Sequence, residues 1–328
     1  MMSKVQMQTP KDTFTVDYPQ AIEFRDKQAS IFWPPEEVRV EKDVQDILVN
    51  MTEAERHATI TVLKLFVKYE LIIGDEFWSG FVMKKFPRPD IQSMASLFSA
   101  MELSVHAPFY AKLNEELKIA TDDFYNSYKD DEVLAERIQV LEDIFKRNDD
   151  LYSLGAFTFA EGAILYSSFA FLKHFQSQGK NKLLNVVSGI NFSARDEALH
   201  SEASGWLFQQ LLKEKQDAKQ ISETECKALQ DEITSMAVTV YKHEQRIIEK
   251  LFEKGDIEGV SAKQLDYFVQ SRINMCLRNM GYPNLFEVTY NPIGEWFYKG
   301  INGYAMNDFF SSVGNQYERG WQAEAFTF

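Results

Sequence analysis

The sequence predicts an all-α fold, with one domain built from long helices. Apolar side chains recur every three to four residues, which is the spacing of an amphipathic helix. One such stripe contains Val62, Leu65, Phe66, Tyr69, Ile72, Ile73 and Phe77. Two Ser/Thr-x-x-Glu capping boxes, at Thr52–Glu55 and Ser222–Glu225, mark helix starts. No long run alternates apolar and polar residues as a strand would, so no sheet is predicted.

The helices follow one another along most of the chain. Asp90 is predicted as the N-cap of the second long helix and Asp150 as the N-cap of the fourth. The fourth helix is apolar on nearly all sides and should therefore lie at the centre of the protein. The predicted helices cover residues 52–85, 90–118, 133–147, 151–174, 181–214, 222–253 and 262–280.

The two ends of the chain are expected to be less regular. Residues 1–30 look like an irregular N-terminal arm, and Pro34 and Pro35 force an extended turn after it. Beyond Gly281 the helical pattern gives way to sequence rich in Gly, Asn and Phe. We therefore divide the chain into an arm (1–30), a helical domain (31–285) and a C-terminal segment with a flexible tail (286–328).

The amino-acid composition narrows the expected cellular compartment and the expected binding partners of the protein. The chain has 328 residues and a net charge of 35 − 49 = −14, which argues against a nucleic-acid surface and against binding to an anionic membrane. The two cysteines, Cys226 and Cys276, form no C-x-x-C motif, so neither a disulfide framework nor a thiolate zinc site is expected. With no signal peptide or membrane span recognised, a soluble cytoplasmic protein is expected.

Charged residues on apolar helix faces indicate a metal site. Two helices carry a Glu/His pair that shares one face, and two others carry a single glutamate with apolar neighbours. This is the ligand set of a ferritin-like di-metal bundle, and four carboxylates with two imidazoles suit iron or manganese better than zinc. The candidate ligands are Glu70, Glu102, His106, Glu161, Glu197 and His200.

Each candidate also has an ordinary interpretation. Glu70 alone could be a solvated helix residue near Lys68, and Glu102 alone could pair with a lysine. His200 alone would more often be a core or surface histidine. Glu161 is harder to explain in this way, because its neighbours are small or apolar. The combination on four separate helices makes chance a poor explanation.

The first Glu/His pair is one residue longer than the second. Glu102 and His106 are four apart, whereas Glu197 and His200 are three apart. Pro108 lacks the N–H that a regular helix would offer to the Ser104 carbonyl, and its ring would clash there. We predict a π-bulge or kink over residues 102–106, the alternative being a regular helix.

Tyr110 lies one turn beyond His106 on the same helix face. A buried phenol at this position could be oxidised by a neighbouring metal pair. The alternative, a core tyrosine with a satisfied hydroxyl, is favoured by the sequence alone.

Taken together, these residues resemble the small, radical-generating subunit of class I ribonucleotide reductase. The resemblance covers most of the chain. It is carried by Phe32-Trp-Pro-Pro-Glu-Glu-Val38, Ala100-Met-Glu102 with His106 and Tyr110, Glu161, Ala194-Arg-Asp-Glu-Ala-Leu-His200 and Val313-Gly-Asn-Gln-Tyr317.

The resemblance implies a role for each matching residue. The six candidate ligands would bind two metal ions, and Tyr110 would carry a stable radical. Trp33 and Asp196 would relay an electron and a proton, and Tyr317 would pass the radical to a large subunit that reduces ribonucleoside diphosphates to deoxyribonucleotides. The last residues, 323–328, would dock on that subunit. A homodimer is also implied.

Two features depart from the family pattern. The first ligand is Glu70, where many members have aspartate, and the Glu102/His106 pair has its extra residue. The metals could be Fe/Fe, Mn/Fe or Mn/Mn. Two alternatives stay open at this point: a ferritin-like di-metal oxidase acting on a lipid or small molecule, and an iron-storage protein. Storage proteins of this kind are usually a single bundle of about half this length, which counts against the latter.

Overall fold

A computed structural model describes residues 5–299 and confirms the all-α fold. Over these residues the only β-type pairing is an isolated bridge between Ile257 and Val260. The helices are α1 (Pro19–Ser30), α2 (53–85), α3 (89–116), α4 (Asp122–Asn126), α5 (Glu132–Lys146), α6 (150–173), α7 (Leu184–Asp217), α8 (Glu223–Leu251), α9 (Ala262–Asn279) and α10 (292–299).

Three of these helices contain a wider π-helical segment. The segments are Ile72–Val82 in α2, Glu102–His106 in α3 and Ala160–Ile164 in α6. Shorter helical turns connect the main helices, and they lie at Pro35–Glu37, Val40–Lys42, Asp46–Asn50, Ser127–Asp130 and His174–Gln176.

The capping boxes begin their helices as predicted. The Thr52 hydroxyl accepts from the Glu55 N–H at 3.2 Å, and the Glu55 carboxylate accepts from the Thr52 N–H at 2.9 Å. The box at Ser222 is formed in the same way at the start of α8. Both helix starts are therefore fixed by local sequence.

The two predicted aspartate caps are wrong. Helix α3 begins at Pro89, because a proline at the first helical position loses no hydrogen bond there. The Asp90 carboxylate instead accepts from the Tyr18 N–H at 2.7 Å and so helps to hold the start of α1. At α6 the cap is Asp149, whose carboxylate accepts from the Tyr152 N–H at 3.1 Å.

The prediction of an irregular arm over residues 1–30 is wrong for residues 19–30. Pro19 begins α1, which packs against α3 and α7. Phe24 and Gln28 lie on its buried face. The apolar stripe of this helix is narrow, which explains why periodicity did not reveal it.

Helix α6 lies at the centre, as its composition predicts. Its residues are buried from Leu151 to Lys173 almost without exception, and it packs along α7, with α8 and α9 also against it. The run Asp150–Gln176 is long and apolar enough to cross a membrane by length and composition alone, but its most apolar 18-residue stretch is wholly buried within the protein. It is therefore the core helix of the bundle.

The end of α6 holds a buried lysine beneath α10. The Lys173 ammonium donates to the Phe297 carbonyl at 2.8 Å and lies 4.0 Å from the centre of the Phe297 ring. Burial lowers the pKa of Lys173 to about 7. In the unfolded chain a lysine has a pKa of about 10.4.

We expect Lys173 to make stability depend on pH. Between pH 7 and 10 the unfolded chain binds a proton that the folded chain does not, so the free energy of unfolding rises with pH, by up to about 1.4 kcal/mol per pH unit. Lys173→Met should therefore stabilise the protein most below pH 7, and its advantage should shrink as the pH rises. Denaturant titrations at pH 6 and pH 9 measure this; an equal effect at both values would contradict the prediction.

Candidate metal centre

The six candidate ligands meet in one buried cluster between four helices. All six side chains are 0% exposed. Ligand atoms within 4.8 Å of one another form two overlapping groups, and Glu102 and Glu197 belong to both. The first group adds Glu70 and His106 to these two carboxylates; the second adds Glu161 and His200. Such overlap is what two ions that share bridging carboxylates require.

Both imidazoles point the same nitrogen at the carboxylates. His106 Nδ1 lies 2.7 Å from Glu102 Oε2 and 3.0 Å from Glu197 Oε1. His200 Nδ1 lies 2.6 Å from Glu102 Oε1. The outer nitrogens face hydrogen-bond acceptors: His106 Nε2 is 3.0 Å from Asp196 Oδ2, and His200 Nε2 is 3.0 Å from Gln28 Oε1. An outer N–H that donates leaves Nδ1 with a lone pair directed inward, as a metal ligand needs.

The cluster has more buried acceptors than hydrogen bonds. Both carboxylate oxygens of Glu70 and of Glu197, one oxygen of Glu161 and one of Glu102 make no hydrogen bond of normal geometry, although imidazole nitrogens lie 3.0 Å from Glu197 Oε1 and 2.6 Å from Glu102 Oε1. Buried carboxylates without partners are costly, and paired cations would satisfy them. This donor set, all oxygen and imidazole nitrogen, fits iron or manganese.

The charges of the cluster shift its pKa values in opposite directions. Burial, followed by the nearby carboxylates, raises the pKa of Glu70 and of Glu161 well above the usual range. Burial also acts to raise the pKa of Glu102, but the two imidazoles outweigh it and lower that pKa. Burial lowers the basicity of His200, yet the Glu102 charge outweighs this effect and raises its pKa to about 9. In the protein alone, ionisation of Glu70 and Glu161 is therefore disfavoured by burial and by the neighbouring carboxylates, and cations bound among these groups would favour their ionised forms.

The predicted π-bulge is confirmed. Residues Glu102–His106 are π-helical, and the N–H of Ala107 donates to the Glu102 carbonyl five residues earlier. The wider turn absorbs the extra residue, so Glu102 and His106 both face the cluster. On the facing helix, a Cβ at Gly74 would lie 2.8 Å from Glu102 Cβ, so only glycine allows this approach.

Trp33 and Asp196 join the cluster through hydrogen bonds. Trp33 Nε1 donates to Asp196 Oδ2 at 2.8 Å, and the same oxygen lies 3.0 Å from His106 Nε2. The Trp33 and His106 rings are also stacked, with centroids 5.8 Å apart. The structure thus links His106 to Trp33, which adjoins the exposed Phe32. Tyr317 and the tail over residues 323–328 lie outside the described residues.

Tyr110 is fully buried beside the cluster. Its hydroxyl makes no hydrogen bond of normal geometry, so it does not fit the alternative of a satisfied core tyrosine. The ring contacts Phe66 and Phe109, with centroids 4.5 and 4.8 Å away. Burial, and then the charge of Glu70, raise the pKa of Tyr110 well above its usual value, against the opposing effects of the His106 charge and the nearby Ser193 hydroxyl.

Two further residues contact the cluster, and the sequence alone did not indicate them. Gln28 donates to Asp196 Oδ1 at 3.2 Å while its carbonyl faces His200, so it connects the two halves of the site. Trp78 Nε1 donates to Glu161 Oε1 at 2.7 Å. Trp78 follows Glu70 by eight residues on α2, a spacing that could have indicated it. Gln28 gave no such signal, because α1 was not recognised.

Comparison with known proteins identifies the family. The sequence profile described as "Ribonucleotide reductase, small chain" matches residues 10–292. The chain belongs to this family. The ribonucleoside-diphosphate reductase 2 subunit beta of Escherichia coli is 25% identical over 311 residues, which cover 92% of each chain. The subunit beta from Bacillus phage SPbeta is 25% identical over 310 residues, covering 90% of this chain and 88% of the phage protein.

A solved structure shares the fold of the present chain. The dimanganese(II) NrdF of Streptococcus sanguinis superposes with a TM-score of 0.76 at 20% identity, covering 89% of this chain and 99% of that one. The ferritin-like bundle predicted from sequence is therefore the fold of this chain.

Proposed function

We propose that this chain is the radical-generating small subunit of a class I ribonucleoside-diphosphate reductase. The observation that carries the proposal is the six-residue cluster beside Tyr110, a buried tyrosine whose hydroxyl has no hydrogen bond of normal geometry. The relatives named as ribonucleoside-diphosphate reductase subunits support the substrate class. They favour this activity over a lipid oxidase or iron storage.

In this proposal the cluster holds two metal ions, either Fe/Fe, Mn/Fe or Mn/Mn. Glu102 and Glu197 belong to both ligand groups and would help to hold both ions, and the remaining ligands would complete one group each. When bound and oxidised by oxygen or by a reduced oxygen species, the metals would supply a one-electron oxidant for a nearby phenol. Glu70 and His106 would serve the ion nearer Tyr110, since the charges of both act on the Tyr110 phenol.

Tyr110 would lose an electron and its proton to become a neutral radical. The aromatic rings around the phenol are buried and would keep water away from it. Trp33, Asp196 and His106 form a continuous path along which an electron could move, with Asp196 holding the proton of the indole or of the imidazole. Tyr317 would continue that path to the large subunit.

The partner and compartment are part of the same proposal. We infer a homodimer in the cytoplasm that docks on the catalytic large subunit through the C-terminal tail. Residues 31–285 would form the metal-binding domain, and residues 286–328 the docking segment. Residues 1–30 would remain an appended arm, although α1 within it contributes Gln28 to the site.

Deleting residues 300–328 should abolish nucleotide reduction with the large subunit. Metal content and the tyrosyl radical signal should stay at wild-type levels, because all six ligands and Tyr110 lie before the deletion. Radiolabelled nucleotide reduction, metal analysis and electron paramagnetic resonance measure the three properties.

Tyr317→Phe is the matched control for docking. It should abolish reduction while large-subunit binding, measured by calorimetry, remains within a few-fold of wild type. Full reductase activity in the truncated chain would contradict the proposed route through the tail.

A further inference from the structure

The π-helical segment of α6 accepts hydrogen bonds from outside its own helix. Three side chains from three other helices donate to carbonyls in and beside this segment. Ser201 Oγ donates to the Thr158 carbonyl at 3.3 Å, Arg272 Nε to the Gly162 carbonyl at 2.8 Å, and Arg137 Nη1 to the Ile164 carbonyl at a long 3.5 Å. Because a π-turn interrupts the regular ladder, such carbonyls need outside donors. The shortest of the three bonds comes from Arg272.

Arg272 is an unusual residue to find at this place. Its side chain is 1% exposed, and arginine stays charged in proteins. Over residues 5–299 no carboxylate pairs with it. Its other neighbours include the Tyr166 ring, 3.4 Å from the guanidinium carbon, the Tyr298 hydroxyl at 3.2 Å and the Met275 sulfur at 3.4 Å. A buried charge without a counter-charge is costly to stability. The second arginine, Arg137, differs because it forms a buried ion pair with Glu244.

The bond from Arg272 lies next to a candidate metal ligand. Gly162 directly follows Glu161, and a Cβ at Gly162 would come within 2.3 Å of Ser201 Oγ and 2.4 Å of Cys276 Sγ. The segment therefore packs closely against α7 and α9, and the Arg272 side chain on α9 donates a hydrogen bond to it. The Glu161 carboxylate is directed by the same turn toward Glu102, Glu197 and His200.

We propose that Arg272 is a positioning residue for Glu161, acting through the Gly162 carbonyl to hold the π-helical turn in its metal-binding conformation. This inference rests on the metal centre proposed above. It explains why an arginine with no carboxylate partner among residues 5–299 lies where an apolar side chain would pack at lower cost.

Arg272→Met tests the proposal, because methionine fills the space without a donor or a charge. We expect a melting temperature equal to or above that of wild type, since replacing a buried charge by an apolar group is often neutral or stabilising. Affinity for one of the two Mn²⁺ ions should fall by about tenfold or more, and affinity for the other should not change. Calorimetric titration with Mn²⁺ resolves the two steps, and Glu161→Ala shows which step is affected.

Hydrogen exchange of the metal-free protein gives a readout that does not depend on metal. Amides of residues 160–164 should exchange faster in Arg272→Met, while those of residues 102–106 should not. Arg278→Met on the same helix, whose exposed side chain contacts Asn284, should change neither property.

Arg272→Lys keeps the charge and is the alternative test if the methionine variant does not fold. Lysine lacks the planar guanidinium N–H groups, so this variant should show the same selective loss of affinity for one of the two Mn²⁺ ions. Unchanged binding of both ions, or equal weakening of both, would overturn the role of Arg272 even though the wild-type chain binds two ions. A wild-type chain that binds no metal would instead overturn the proposed function itself.

Discussion

Replacing Glu102 with alanine should abolish binding of both metal ions, whereas Glu161→Ala should remove only one. Glu102 belongs to both ligand groups, and its two oxygens approach different imidazoles, with His106 at 2.7 Å and His200 at 2.6 Å. Glu161 belongs to the second group only. If Glu102 is a ligand of both ions, as proposed, its loss would remove one ligand from each of them.

Metal analysis after equilibrium dialysis against Mn²⁺ or Fe²⁺ measures this contrast. The wild-type chain should hold two ions, Glu161→Ala about one and Glu102→Ala close to none. Glu115→Ala is the matched control, because Glu115 lies on the same helix but points to solvent. Two ions in Glu161→Ala, or a full ion in Glu102→Ala, would contradict the shared-ligand geometry.

The second large effect is expected at Tyr110. Tyr110→Phe should remove the tyrosyl radical signal completely while two metal ions still bind. The hydroxyl makes no hydrogen bond of normal geometry, so its removal should cost the fold little. Reductase activity should fall to background, because no other residue in the proposed path stores the oxidant.

Tyr166→Phe is the control for a general effect of losing a buried phenol. Tyr166 is also fully buried, but its hydroxyl donates to the Ala194 carbonyl at 2.8 Å. Its ring also faces the positive charge of Arg272, which disfavours oxidation. The radical signal should survive in Tyr166→Phe. A tyrosyl signal that persists in Tyr110→Phe would show that the radical lies elsewhere.

Much of the fold could be predicted because its helices are long and their apolar stripes regular. The capping boxes at Thr52 and Ser222 fixed two helix starts by local chemistry. The caps at Asp90 and Asp150 failed because each lies beside a residue, Pro89 or Asp149, that begins or caps the helix equally well. Which of two neighbouring residues begins or caps a helix depends on tertiary contacts, and the spacing of apolar residues carries no information about these.

The site shows the same division between local and long-range information. The bulge at Glu102–His106 was predictable because Pro108 disrupts the helix locally. The π-helical segment at Ala160–Ile164 has no such signal, since its donors come from distant helices. Gln28 was missed for a related reason: its contacts join residues more than 160 positions apart.

Anomalous diffraction from crystals of the Mn²⁺-loaded protein tests the two-metal centre most directly. The account predicts two peaks per chain, each in contact with Glu102 and Glu197. One peak should lie beside Glu70 and His106, and the other beside Glu161 and His200. A single peak, or none among these residues, would contradict it.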